Sequence, residues 1–149
     1  MTQPSLFGDP GGGPAVAYVD GGSRGNPGPA GYGVRIDRAD GTIVELKESL
    51  GVATNNVAEY RGLLAALAWA ARQGIDRLHV RSDSLLLVKQ MRGEYRVKHP
   101  GLQPLWEEAR RLARQIGDVQ FEHVRRELNK DADRLANEAM DEAEAASQP

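Results

Sequence analysis

Two periodicities divide the chain, and the point where one replaces the other does most to restrict its fold. The segments AVAYVDG (15–21), GYGVRID (31–37) and TIVELKESL (42–50) alternate apolar and polar residues, the period of half-buried strands. RADG separates the last two, and its Asp-Gly pair suits a hairpin turn. The period then lengthens. EYRGLLAALAWAARQ is rich in Ala and Leu, with Asn56 placed to cap its start and Gly74 its end, which predicts a long helix. RLHVRS (77–82) reads as a short strand and LLLVKQM (85–91) as a short helix. LQPLWEEARRLARQI (102–116) is an amphipathic helix with Leu105, Leu112 and Ile116 near one face, stopped by Gly117. VQFEHV (119–124) is a last strand. Asn129 caps a final helix whose apolar stripe is Ala132, Leu135, Ala136, Ala139 and Met140. An antiparallel meander followed by alternating helices and strands predicts an α/β domain: a mixed five-stranded sheet, three strands antiparallel and two parallel, flanked by helices.

That domain is expected over residues 15–143, with a Gly- and Pro-rich tail before it (1–14) and a flexible tail after it (144–149). The chain has 149 residues and no cysteine, which excludes disulfides and thiolate metal sites. No run approaches the ~18 apolar residues of a membrane span, and the start lacks a signal-peptide core. A cytoplasmic monomer without membrane contact is the plain expectation. Net charge is −2, against strong non-specific nucleic-acid binding by the whole surface. The charge is uneven, however: KQMRGEYRVKH (89–99) and the helix with Arg110, Arg111 and Arg114 are basic, and DEAEAASQP is acidic.

Four carboxylates stand at element ends. Asp20 closes the first strand on the face of Val16 and Tyr18. Glu59 lies in the first turn of the first helix, Asp83 follows the fourth strand, and Asp133 opens the last helix. Each also has a structural reading. Asp20 precedes Gly21 as a turn residue would, and Glu59 stands at capping-box distance from Asn56. Asp83 suits an N-cap, and Asp133 with Asp131 suits a helix dipole. Strand ends and helix starts are where ligands gather in such sheets. If the four converge, like charges ~4 Å apart repel by roughly 4 kcal/mol unless cations intervene. An all-oxygen donor set favours Mg²⁺ or Mn²⁺ and suits phosphodiester hydrolysis by two ions. Spacing along the chain leaves that convergence open.

YVDGGSRGNPGPAGYG, TNNVAEYRGLLAAL, SDSLLLVKQM and NKDADRLANEA resemble, in order and spacing, the four blocks of type 1 ribonuclease H. The resemblance covers residues 15–143. It implies the ribonuclease H-like fold, two Mg²⁺ ions (with Mn²⁺ as substitute), and endonucleolytic cutting of the RNA strand of RNA–DNA hybrids. Asp20, Glu59, Asp83 and Asp133 match the family's metal-binding acids. Asn26 and Asn56 match positions that touch the hybrid, with Thr54 and Asn55 beside them. Gly21, Gly22 and Ser23 in the glycine-rich loop, and Ser84 after Asp83, complete the expected substrate contacts. Amide groups at such positions suit the 2′-hydroxyls of a wide minor groove.

The chain departs from that pattern in three places. The family's loop histidine before the last helix is missing from VRRELNK, where Arg126 or Glu127 is expected to stand in, and His123 is expected to pack in its strand. The family's basic protrusion is reduced to Arg92, Arg96 and Lys98, which predicts weak, salt-sensitive binding. Leu85 replaces a polar, substrate-touching residue, which predicts that double-stranded RNA is also cut. Two other readings fit the same fold: a hybrid- or double-stranded-RNA-binding module of weak activity, and a DNA-acting nuclease such as a resolvase. In the first tail, QPSLF places Gln3, Leu6 and Phe7 as in peptides that dock on bacterial sliding clamps.

Overall fold

The computed structural model describes residues 13–147. Strands β1 (Pro14–Ser23), β2 (Gly28–Arg38) and β3 (Ile43–Ala53) form the meander. Helix α1 (Asn55–Arg72) leads to β4 (Arg77–Ser82), followed by α2 (Leu85–Met91), α3 (Gln103–Ile116), β5 (Asp118–His123) and α4 (Lys130–Ala146). The order is the expected one. β1 begins one residue before the expected domain start, and α4 continues as helix three residues past the expected end at 143. Among the described residues no helix is long and apolar enough to cross a membrane. Gln3, Leu6 and Phe7 lie outside the described residues.

The sheet order is β3-β2-β1-β4-β5, antiparallel among the first three and parallel from β1 through β4 to β5. β1 is therefore central, and the chain reverses its direction of growth beside it. The alternation seen in the sequence sorts the two faces. Ala15, Ala17 and Val19 of β1 join Tyr32, Val34 and Ile36 of β2 against Tyr60, Leu63 and Leu67 of α1, with Leu112 and Ile116 of α3 in the same core. The α4 stripe of Ala132, Leu135, Ala136, Ala139 and Met140 is buried on the opposite face, with α4 lying chiefly over β2 and reaching β3 and β1 on either side.

Two glycines let both helices come close beside Asp20. A Cβ on Gly21 would lie 2.4 Å from the Ala58 backbone of α1. Gly33, the cross-strand partner of Asp20, would place a Cβ 2.5 Å from Ala136 N and Ala132 O of α4. Neither helix could sit where it does over an alanine, because core atoms do not tolerate such contacts. Gly21 therefore makes room for a helix as well as facing the pocket described next.

Helix starts differ from the expectation. Thr54, not Asn56, caps α1, its hydroxyl accepting from Val57 N at 3.2 Å. Glu59 consequently lies beyond the first turn and belongs to no capping box. Ser84, not Asp83, caps α2, accepting from Leu87 N at 3.2 Å. Asn129 stands at the cap of α4 but makes no capping bond; its Nδ2 donates to Val19 O at 2.9 Å, fastening α4 to β1 one residue from Asp20.

Candidate active site

With their capping duties taken by Thr54 and Ser84, Glu59 and Asp83 are free to face the same opening as Asp20 and Asp133. All four line one pocket of about 580 Å³ at the carboxyl ends of β1 and β4. This is the crevice where neighbouring connections of an open sheet diverge. Four elements supply one acid each: β1, α1, the β4–α2 junction and α4. Among the described residues no three His, Cys, Asp or Glu side chains are gathered into a ready ion-holding group, so the acids share a pocket rather than a closed cage.

Their electrostatics are mutually unfavourable. Burial pushes the Asp20 carboxyl up to about 8, helped by the charge of Asp83 and by the adjacent Asp133, against a small opposing effect of the Gly21 backbone. Burial also raises Glu59 to about 7; the Ser84 hydroxyl, donating to Oε1 at 3.2 Å, lowers it, and Asp83 raises it. Asp83 is raised by burial and by Asp133, while Arg126 and His123 draw it back down. A cluster of this kind favours binding of positive charge, or else retains protons.

Beside the acids lies a rim of neutral donors and acceptors. Ser23 N donates to Asn55 Oδ1 at 2.8 Å, with Ser23 Oγ 3.2 Å from the same oxygen, and Asn55 N donates to Asn26 Oδ1 at 3.1 Å. Gly21, Gly22, Ser23 and Asn55 line the acid pocket. Asn26 orients Asn55 rather than lining it, and Thr54 is occupied as a cap. Asn56 faces a second groove of about 540 Å³, with Leu86, Tyr95, Arg96, Lys98 and His99.

On the opposite side Arg126 lines the pocket, its Nη2 3.9 Å from Asp133 Oδ1. Glu127 is exposed in the short 3₁₀ turn Arg126–Leu128 and does not line the pocket. His123, expected to pack, is instead exposed at the end of β5 and lines the pocket with Arg125. The parallel register explains this: His123 is the partner of Ser82, the residue before Asp83, so it lies at the sheet end and not in the core. Asn137, which sequence reasoning passed over, also lines the pocket; its position four residues after Asp133 on a helix was the available signal.

A family profile described as reverse transcriptase-like matches residues 18–139. The chain is 52% identical over 130 residues to the bifunctional protein Rv2228c of Mycobacterium tuberculosis, covering 86% of this chain and 36% of that protein. It thus spans about a third of that relative's length. The solved N-terminal ribonuclease H domain of Rv2228c superposes with a TM-score of 0.87 at 50% identity, covering 91% of this chain and 99% of that one. Ribonuclease HI of Halobacterium salinarum is 47% identical over 133 residues, covering 89% of this chain and 67% of that protein. LC11-RNase H1, isolated from compost and solved in complex with an RNA/DNA hybrid, matches with a TM-score of 0.80 at 41% identity, covering 87% of this chain and 98% of that one.

Proposed function

The chain belongs to the type 1 ribonuclease H family, and on that premise we propose that it hydrolyses the RNA strand of RNA–DNA hybrids with the help of divalent cations. One observation supports this above others: Asp20, Glu59, Asp83 and Asp133 come from four elements to a single pocket, where burial first, and the charge of Asp83 second, disfavours ionisation of Asp20 and Glu59. The donors are all oxygen, which suits Mg²⁺, or Mn²⁺ in its place, and the open pocket leaves room for the waters that Mg²⁺ keeps. Two such ions bound here would activate water and stabilise the leaving 3′-oxygen.

The chain's own residues divide the remaining work. Asp20 does not close β1 as the sequence suggested but is paired within it, three residues before its end, and Asp83 directly follows β4; held by these central strands, the two would be the acids that serve both ions. Glu59 and Asp133 complete the separate sides, with Glu59 toward the RNA 2′-hydroxyl. Ser23 and Asn55 supply donors and acceptors to the minor groove without reading sequence, which fits a substrate defined by its sugars. Arg126 balances the charge of Asp133 and Asp83 beside the cleavage position. Double-stranded RNA is the secondary substrate on this reading, because the exposed Leu85 offers no polar contact to discriminate against it.

Hybrid, double-stranded RNA and double-stranded DNA, each offered with Mg²⁺ to wild type and to Asp20→Asn, test the proposal. Multiple-turnover cutting of the hybrid by wild type alone is expected. Binding without turnover, or cutting of DNA in preference, overturns it. The QPSLF stretch is proposed as a clamp-docking peptide; a pull-down with a bacterial sliding clamp should lose its signal with Leu6→Ala/Phe7→Ala, and equal blanks reject it.

A further inference from the structure

The connection between β1 and β2 is held from two sides. Ser23 and Asn26 tie it to Asn55 at the start of α1. From the other side the guanidinium of Arg24 reaches the second half of α4. Its Nη1 donates to Asp141 and to Glu144 Oε1 (2.6 Å), and its Nη2 donates to Asn137 Oδ1 (3.0 Å) and, less closely, to the Asn137 carbonyl (3.4 Å). Residues 137, 141 and 144 recur at helical spacing, so one planar fork engages all three. The backbone N–H of Arg24 closes the connection onto Pro29 O at 2.8 Å.

Asn137 carries this grip to the acids. Its Nδ2 donates to the Asp133 carbonyl at 2.9 Å, and the residue lines the pocket. By donating to Asn137 Oδ1, Arg24 fixes which way that amide faces. Two carboxylates already neutralise the guanidinium, so it offers little to a phosphate. Its effect runs through what it holds.

We infer that Arg24 is a positioning residue, clasping the substrate-reading connection to the helix that carries Asp133 and so setting the spacing between the groups that bind hybrid and the acids that cut it. The inference rests on the ribonuclease H reading above. The acids themselves stand on elements packed through the core and through the apolar stripe of α4, so release of the clasp loosens the rim and leaves the acids in place. The loss therefore falls on KM more than on kcat.

Steady-state cutting of a hybrid at fixed Mg²⁺, thermal melting and amide exchange of residues 23–26 test this in Arg24→Ala, Arg24→Lys, Asp141→Asn/Glu144→Gln and the triple combination with Arg24→Ala. Arg24→Ala should raise KM about tenfold, the size of one lost charged hydrogen bond. Its kcat should stay within about twofold. Arg24→Lys should recover only part of the loss, since an ammonium cannot grip three residues at once. The acid pair should reproduce the rise, the triple variant should be no worse than either parent, and residues 23–26 should exchange faster in each. An unchanged KM in Arg24→Ala, additive losses in the triple variant, or faster exchange across the whole domain overturns the clasp. Wild type that leaves hybrid uncut overturns the functional reading and the inference with it; wild type that cuts, with Arg24→Ala indistinguishable from it, overturns the clasp alone.

Discussion

Ser84 Oγ donates to Glu59 Oε1 at 3.2 Å and itself accepts from Leu87 N at 3.2 Å. One side chain thus starts α2 and steadies an acid on α1. Ser84→Ala should cost about 1 kcal/mol as a lost N-cap. It should also move the Glu59 carboxyl further above about 7, because the bond that lowers it is gone. The Mg²⁺ concentration for half-maximal cutting should rise, more at about pH 6.5 than at about pH 8.5, since metal and proton compete for the same oxygens. A magnesium titration at both pH values, with chemical denaturation alongside, checks this.

Asp20→Asn should abolish cutting at any Mg²⁺ concentration and yet stabilise the metal-free protein. The wild-type carboxyl, ordinarily near 3.8, is raised to about 8, so the folded state prefers it protonated. Its contribution is fully favourable below about pH 4 and is lost as pH climbs through about 8, by up to about 1.4 kcal/mol per pH unit. In a chelator, the melting-temperature advantage of Asp20→Asn over wild type should widen from about pH 5 to about pH 8.5. Added Mg²⁺ should narrow it. A gap that is constant across that range contradicts the raised pKa.

Gly33→Ala should destabilise by about 1–3 kcal/mol or more, because its Cβ would meet α4 backbone at 2.5 Å. Relief requires α4 to move outward, and Asp133 moves with it. Loss of cutting beyond the loss of folded protein, compared at a temperature where both variants are folded, is the expected sign.

Binding should depend on salt through few contacts. Arg96 and Lys98 line the groove beyond Asn56. Arg96→Ala/Lys98→Ala should lower the slope of log affinity against log salt by about two, without changing preference among hybrid sequences. An unaltered slope would place the hybrid elsewhere.

What was legible in the sequence is what periodicity can encode. Val16, Tyr18 and Asp20 share a face because strands alternate, and the α4 stripe is buried as its spacing predicts. Choices between equivalent neighbours were not legible. TNN offers three adequate caps in succession, and SDS offers Asp83 beside Ser84; tertiary packing selected Thr54 and Ser84 and released the acids. His123 follows the strand pattern but sits past the edge of the core, which only the pairing with Ser82 reveals. Gly21 and Gly33 look like loop glycines until the helices above them are placed. The Arg24 clasp joins residues more than a hundred positions apart and leaves no local trace.

The wide separation of the four acids along the chain has a consequence for synthesis. Three of them are present once the β4–α2 junction has left the ribosome, yet the fourth arrives only with α4, which packs on the meander of β1, β2 and β3 made at the start of the chain. Until Asn129 fastens onto Val19, a nascent chain holds an unfinished pocket and should be inert toward nucleic acid around it. Competence arrives with the last helix, in one step.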